Sequence, residues 1–265
     1  MEKISGGVGF FDSGIGGLTV LAECRKYIKD EIFYYYGDND HAPYGNLSFS
    51  EIEKLVFSAF DMFARLNVKA TVIACNTATA VCVEKLRKIY PFPIVGAEPA
   101  ILPAMKKGGL TYVLTTRATY NSMRFQNLCA RICHRFPKST LQAYPCDGLA
   151  GEIERHLFDS NYDYTPCLPK GTPDTVVLGC THYIYLKEQI RDFYRSEVVD
   201  GNQGMANRLI SLLKEYPNEN GETQPLLATP PKNAPIFFLG TQKTINEHVY
   251  EQTFAKMGDF CNKSG

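Results

Sequence analysis

VIACNTATA (residues 72–80) and VVLGCTHY (residues 176–183) decide how this chain folds. Each is a hydrophobic run that ends in a cysteine and then turns to small polar residues. Each run reads as a buried strand, with a helix opening just after the cysteine. Asn76 and Thr77 are candidate caps for the first helix, and Thr181 for the second. Two copies of strand, cysteine, helix start point to a parallel α/β architecture with matching halves.

The neighbouring sequence extends that pattern in both directions. Strands are expected at Ile4–Phe11, Glu31–Tyr36, Ala70–Ala74 and Pro93–Val95, with helices at Leu18–Ile28, Glu51–Leu66 and Ala78–Ile89 between them. The alternation then repeats. Helices at Ala100–Lys106, Tyr120–Phe136, Leu149–Phe158 and Leu186–Tyr194 separate strands at Leu110–Leu114, Thr140–Tyr144, Thr175–Leu178 and Glu197–Val199. A helix at Met205–Leu213 and a late strand at Ala234–Leu239 follow. The Pro-rich stretches Asn161–Pro173 and Pro217–Ala234 read as loops. The fold class is α/β: two pseudo-symmetric doubly wound domains with mainly parallel sheets and a cleft between them. The expected division is 1–98 with 200–265 as a discontinuous first domain, and 99–199 as the second.

Composition narrows the functions. The 265 residues carry 28 Lys and Arg against 28 Asp and Glu, so the formal charge is zero. That removes the usual electrostatic ground for nucleic acid or an anionic membrane as main partner. No apolar run approaches the length of a membrane span. The N-terminal MEKISGGVGFFDSG lacks signal-peptide features, so a cytoplasmic location with nine reduced cysteines is expected. Cys24, Cys82, Cys129, Cys133, Cys146, Cys167 and Cys261 read as core. Cys129, Cys133 and His134 lie one turn apart without a second ligand pair, which disfavours zinc. No CxxC opens a helix, which disfavours a thiol redox protein.

Cys75 and Cys180 differ from the others. In open α/β sheets ligands bind beyond the carboxyl ends of the strands, and a thiol there meets a helix N-terminus that favours the thiolate. Other polar clusters share that edge. FFDSGIGGLTV (residues 10–20) sets Asp12 and Ser13 just past the first strand. Its glycines do not fit a dinucleotide loop, because Thr19 stands at the third glycine position. GDNDHAPYGNLS (residues 37–48) follows the second strand. Its Pro43-Tyr44-Gly45 turn has amides suited to a carboxylate, and Ser48 and Ser50 read as caps. TTRAT (residues 115–119) offers hydroxyls at a helix start.

FDSGIGGLTV, GDNDHAPYG, ACNTATA, GAEPA, TTRAT, GCTHY and VVDG, in that order from about Gly9 to Asp200, resemble the cofactor-independent aspartate/glutamate racemases, and GCTHY their glutamate branch. The resemblance implies interconversion of L- and D-glutamate with no cofactor and no metal, D-glutamate feeding peptidoglycan synthesis, and a homodimer. An aspartate racemase, or a catalytically silent binding protein of the same fold, is the alternative. The chemistry suits the residues. Racemisation removes a proton from one face of Cα and delivers one to the other, and two bases of the same type serve both directions. By resemblance, Cys75 takes the proton from D-glutamate and Cys180 from L-glutamate. Asp12 assists the Cys75 side and faces the substrate ammonium, and His182 assists Cys180. Ser13, Pro43, Tyr44, Gly45, Asn76, Thr77, Thr119 and Thr181, with Asp12, His182 and the two cysteines, match substrate-binding positions. The family's later glutamate falls in CDGLAGEIE (residues 146–154). Glu154 is its best match and Glu152 competes, since Asp147 and Gly151 replace the usual prolines. FFLGTQKT (residues 237–244) also departs from the family pattern.

Overall fold

The computed structural model describes residues 6–29, 31–159, 161–215 and 234–262, apart from the side chains of residues 215 and 254–262. Expectations for Ile4, for most of the loop Pro217–Ala234 and for the Cys261 side chain therefore lie outside the described residues. In chain order the elements are β1 (Val8–Asp12), α1 (Leu18–Tyr27), β2 (Phe33–Gly37), α2 (Phe49–Arg65), β3 (Ala70–Ile73), α3 (Asn76–Ile89) and β4 (Ile94–Gly96). There follow α4 (Ile101–Lys107), β5 (Leu110–Thr115), α5 (Arg117–Asn121), α6 (Met123–Arg135), β6 (Thr140–Pro145), α7 (Leu149–His156) and β7 (Thr175–Gly179). Last come α8 (Lys187–Tyr194), β8 (Glu197–Val199), α9 (Asn202–Glu215), β9 (Ile236–Gly240) and α10 (Lys243–Asn262).

Among the described residues, nine strands form two sheets, ordered β4-β3-β1-β2-β9 and β6-β5-β7-β8. Every pairing is parallel. β1 and β7 are buried along their whole length, which is why they read as continuous apolar runs. Strand alternation sends side chains to two faces. Val8 and Phe10 join α1 and α9 in one core, while Phe11 and Ile73 join α2 and α3 in another. In the second sheet Leu114 and Val176 pack with α7 and α8, and Val113 and Val177 with α4 and α6. Each sheet with helices on both faces is one lobe. Late in the chain, α9 contacts α1, and β9 pairs with β2 from Phe33↔Ile236 to Gly37↔Gly240.

Two helix expectations change. The long helix over 120–136 is broken at Ser122, whose backbone is extended (φ −72°, ψ 137°). Its hydroxyl donates to the Thr119 carbonyl at 2.7 Å and accepts from the Phe125 amide at 3.2 Å, ending α5 and capping α6 at one residue. The second helix does not open directly after Cys180. A 3-10 helix, Thr181–Leu186, comes first, and α8 begins only at Lys187. The expected cap at Ser48 forms a full capping box with Glu51, and the helix starts at Phe49.

Candidate active site

β1, β3, β5 and β7 are interior strands of their sheets, and their carboxyl ends carry the residues of interest. Asp12 ends β1, Cys75 follows β3 by two residues, TTRAT begins at the last residue of β5, and Cys180 follows β7 directly. The carboxyl ends of these interior strands thus carry four polar clusters.

The Cys75 side is built on α3. Cys75 itself is the N-cap, with extended backbone and a sulfur that accepts from the Ala78 amide at 3.4 Å. That corrects the expected caps: Asn76 and Thr77 already lie inside the helix. The Ser13 hydroxyl lies 3.4 Å from the Cys75 sulfur. Burial and the Asp12 carboxylate push this thiol up to about 12, against the opposing bonds from Ser13 and Ala78. Burial thus works against the thiolate that the helix end favours.

The Cys180 side has a different partner. Cys180 makes no cap bond, and its sulfur lies 3.9 Å from Nδ1 of His182. Nε2 of the same ring lies 2.5 Å from Oε1 of Glu154 on α7. Burial disfavours an imidazolium here, but the hydrogen bonds to Cys180 and Glu154 outweigh it and raise His182 well above its ordinary value. The same two bonds favour a positive charge on His182 beside the sulfur. Of the two competing glutamates, Glu154 faces this histidine. Glu152 points the other way, to Arg155 and to the Tyr162 hydroxyl at 2.7 Å. Asp147, in a position expected to hold proline, pairs with Arg117 on the surface.

Asp12 joins the two sides. Its carboxylate accepts from the Gly14 amide at 3.1 Å and from the Thr181 hydroxyl, in the other lobe, at 3.3 Å. Fully buried, it is raised to about 6, with the His182 charge and the Gly17 and Gly14 amides opposing that rise. A second bridge between lobes is made of hydroxyls: Thr77 lies 2.9 Å from Thr116 and 3.2 Å from Thr119. Gly45 sits so close to Thr116 that a Cβ would approach its Cβ to 2.8 Å. Pro43 precedes the 3-10 turn Tyr44–Asn46, and Asn76 Oδ1 is buried with no hydrogen-bond partner. The predicted residues therefore gather along one interface, with the two cysteines near enough to interact electrostatically.

Several participants escaped the sequence reading. Asp38 is buried and accepts the Tyr44 hydroxyl at 2.6 Å, with His41 at 2.8 Å on its other oxygen. It stood in the quoted GDND without a role. Thr116 stood unassigned in TTRAT. Tyr35 donates to the Gly14 carbonyl at 2.6 Å, and nothing in FYYYG signals that. Elsewhere Cys24, Cys82 and Cys146 are buried as expected, while Cys129, Cys133 and Cys167 are only half-buried at the edges of the cores. Among the described residues, no group of three or more His, Cys, Asp or Glu is placed to hold a metal ion, and no helix is long and apolar enough to cross a membrane.

Two doubly wound parallel sheets, each with a cysteine just past an interior strand, define a class of two-lobed α/β proteins. The chain belongs to the Asp/Glu/Hydantoin racemase family, whose model matches residues 19–209. A glutamate racemase of Clostridium novyi is 40% identical over 213 residues, covering 76% of this chain and 81% of the relative. The structure also resembles Escherichia coli glutamate racemase in complex with L-glutamate and the activator UDP-MurNAc-ala (TM-score 0.77, 28% identity, 94% and 95% of the two chains). Francisella tularensis glutamate racemase in complex with D-glutamate is similar as well (TM-score 0.74, 27% identity, 95% and 94%).

Proposed function

We propose that this protein interconverts L- and D-glutamate by proton transfer at Cα between Cys75 and Cys180. The observation that supports the reading is the pair of sulfurs at equivalent strand ends of two sheets, with the two lobes joined beside them by the Asp12–Thr181 and Thr77–Thr116 bonds. In the L to D direction a Cys180 thiolate takes the Cα proton and the Cys75 thiol gives its own to the opposite face. The carbon–hydrogen bond breaks, a sulfur–hydrogen bond forms at Cys180, and the reverse exchange occurs at Cys75. The upward push of burial on the Cys75 thiol suits it to act as the acid for L-glutamate. His182, held by Glu154, serves the Cys180 side, and Asp12 with Ser13 serves the Cys75 side.

The carbanion formed at Cα is stabilised through its carboxylate by hydrogen-bond donors in a dry site. Asn76, Thr77, Thr119, Thr181 and the amides of the Pro43-Tyr44-Gly45 turn are the groups we assign to the two substrate carboxylates, and Asp12 to the ammonium. We divide the chain into a first domain of residues 1–98 with 200–265 and a second of 99–199, because β9 pairs with β2 and α9 packs on α1. Supply of D-glutamate to peptidoglycan, a cytoplasmic location and a homodimer complete the proposal on the family resemblance.

The test is a chirality-resolved assay of the purified protein with each enantiomer of glutamate and of aspartate. Both glutamate enantiomers should converge on an equal mixture. Racemised aspartate with untouched glutamate would move the substrate assignment, and no turnover of either would reject the enzyme reading.

A further inference from the structure

We propose that Tyr185 is a positioning residue that clasps the Gly14–Gly16 loop across the lobe boundary and keeps the Cys180 side in register for proton transfer. The loop offers two consecutive carbonyls. Tyr35, from its own lobe, donates to Gly14 O at 2.6 Å, and Tyr185, from the other lobe, donates to Ile15 O at 2.9 Å. Thr253 of α10 lies beside the same Tyr185 hydroxyl, which ties it to a second element of the first lobe. The ring packs against the cores of both lobes.

The helix that carries Tyr185 explains what the clasp controls. In a 3-10 helix residues three apart share a face. Within Thr181–Leu186, Tyr185 therefore lies on the face of His182. The loop it grips is already at closest approach to that face. A Cβ on Gly14 would meet Glu154 Oε1 at 2.6 Å and His182 Nε2 at 3.4 Å. A Cβ on Gly16 would meet Thr181 Oγ1 at 2.4 Å and His182 N at 2.8 Å. These glycines are thus a socket for the turn bearing His182. A slip of the turn in that socket alters the His182–Glu154 bond and the Thr181–Asp12 bond together. Tyr185 is the polar side chain of the turn that fastens to the socket's backbone without touching Cys180.

The inference rests on the glutamate racemase reading, and the experiment separates the two. Wild type and Tyr185→Phe are compared with L- and D-glutamate carrying hydrogen or deuterium at Cα, and both proteins are melted. The variant keeps the ring and should melt within a few degrees of wild type. Its kcat/KM should fall about two- to tenfold, the worth of one neutral hydrogen bond, and equally in both directions because the enantiomers are equal in free energy. Proton transfer at Cys180 becomes the slower step. The primary isotope effect should therefore rise from L-glutamate, whose Cα bond breaks at Cys180, and fall from D-glutamate, whose bond breaks at Cys75. Thr253→Val, which keeps the tyrosine and loosens the clasp from α10, should shift the isotope effects with the same signs by less. It serves as the probe if Tyr185→Phe melts below the assay temperature. Unchanged kinetics, or isotope effects that move together for both enantiomers, would overturn the positioning role. Failure of the wild type to racemise glutamate would instead overturn the parent reading.

Discussion

Gly16→Ala tests closure of the lobes with one methyl group. The Gly16 backbone is outside the left-handed region, so alanine is not strained by conformation. Space is the constraint. The new Cβ would stand 2.4 Å from Thr181 Oγ1, 2.8 Å from Thr181 Cβ and 2.8 Å from the His182 amide nitrogen. Rotation of the threonine relieves the first contact, but the backbone nitrogen cannot rotate away. Ordinary contact needs about 3.5 Å or more, so the turn must withdraw by roughly 0.5–1 Å. The Thr181–Asp12 bond, already 3.3 Å long, does not survive that displacement. A misplacement near 1 Å costs about a hundredfold in rate when reacting groups are held for direct transfer. Overpacking costs about 1–3 kcal/mol, well below the ~5–15 kcal/mol that holds a domain, so the protein stays folded. Steady-state racemisation followed by circular dichroism from each enantiomer should show kcat/KM down about a hundredfold, equally in both directions. Activity within threefold of wild type, with a normal melting curve, would refute the closed contact between loop and turn.

Four further outcomes follow from the structure. Glu154→Gln removes the charge that holds His182 and should lower kcat about ten- to a hundredfold, whereas Glu152→Gln, turned toward Arg155 and Tyr162, should stay within about twofold of wild type, both read by the same assay. Burial raises Asp12 to about 6, so kcat/KM should fall as pH drops through 6, and Asp12→Asn should flatten that limb at a lower rate. For the same group the stabilising contribution is full below its unfolded value near 4 and is lost as pH rises through 6, so urea unfolding at pH 4 and pH 7 should show a smaller loss in Asp12→Asn than in wild type. Cys82→Ala, in the core between α2 and α3, should cost about 1 kcal/mol or more of stability in denaturant melts and leave the rate unchanged.

Much of the fold was legible because parallel strands buried on both faces stand out as short apolar runs such as VGFFD and TVVLG. The break at Ser122 was not, because the apolar spacing of Tyr120–Phe136 continues through it while a hydroxyl bond sets the end of α5. The 3-10 turn after Cys180 was equally hidden: it packs on the Gly14–Gly16 loop, 165 or more residues away in sequence. At the candidate site, Asp12, Cys75 and Cys180 could be placed from sequence because each sits at or just past the end of a strand. Glu154 over Glu152 needed the direction of α7, one helix face against another. Tyr35 and Tyr185 bond backbone carbonyls, which carry no residue identity, so no motif could announce them.

The most direct test of paired cysteines is the fate of solvent deuterium. Pure L-glutamate is incubated with the protein in deuterated water, the reaction is stopped within the first few per cent of turnover, and the enantiomers are separated and weighed by mass spectrometry. If Cys180 removes the proton and Cys75 delivers from the other face, the new D-glutamate carries deuterium at Cα and the recovered L-glutamate stays almost unlabelled. From D-glutamate the label should enter L-glutamate first. Deuterium appearing early and comparably in the recovered substrate, or absent from the product, would contradict two thiols acting on opposite faces of one carbon.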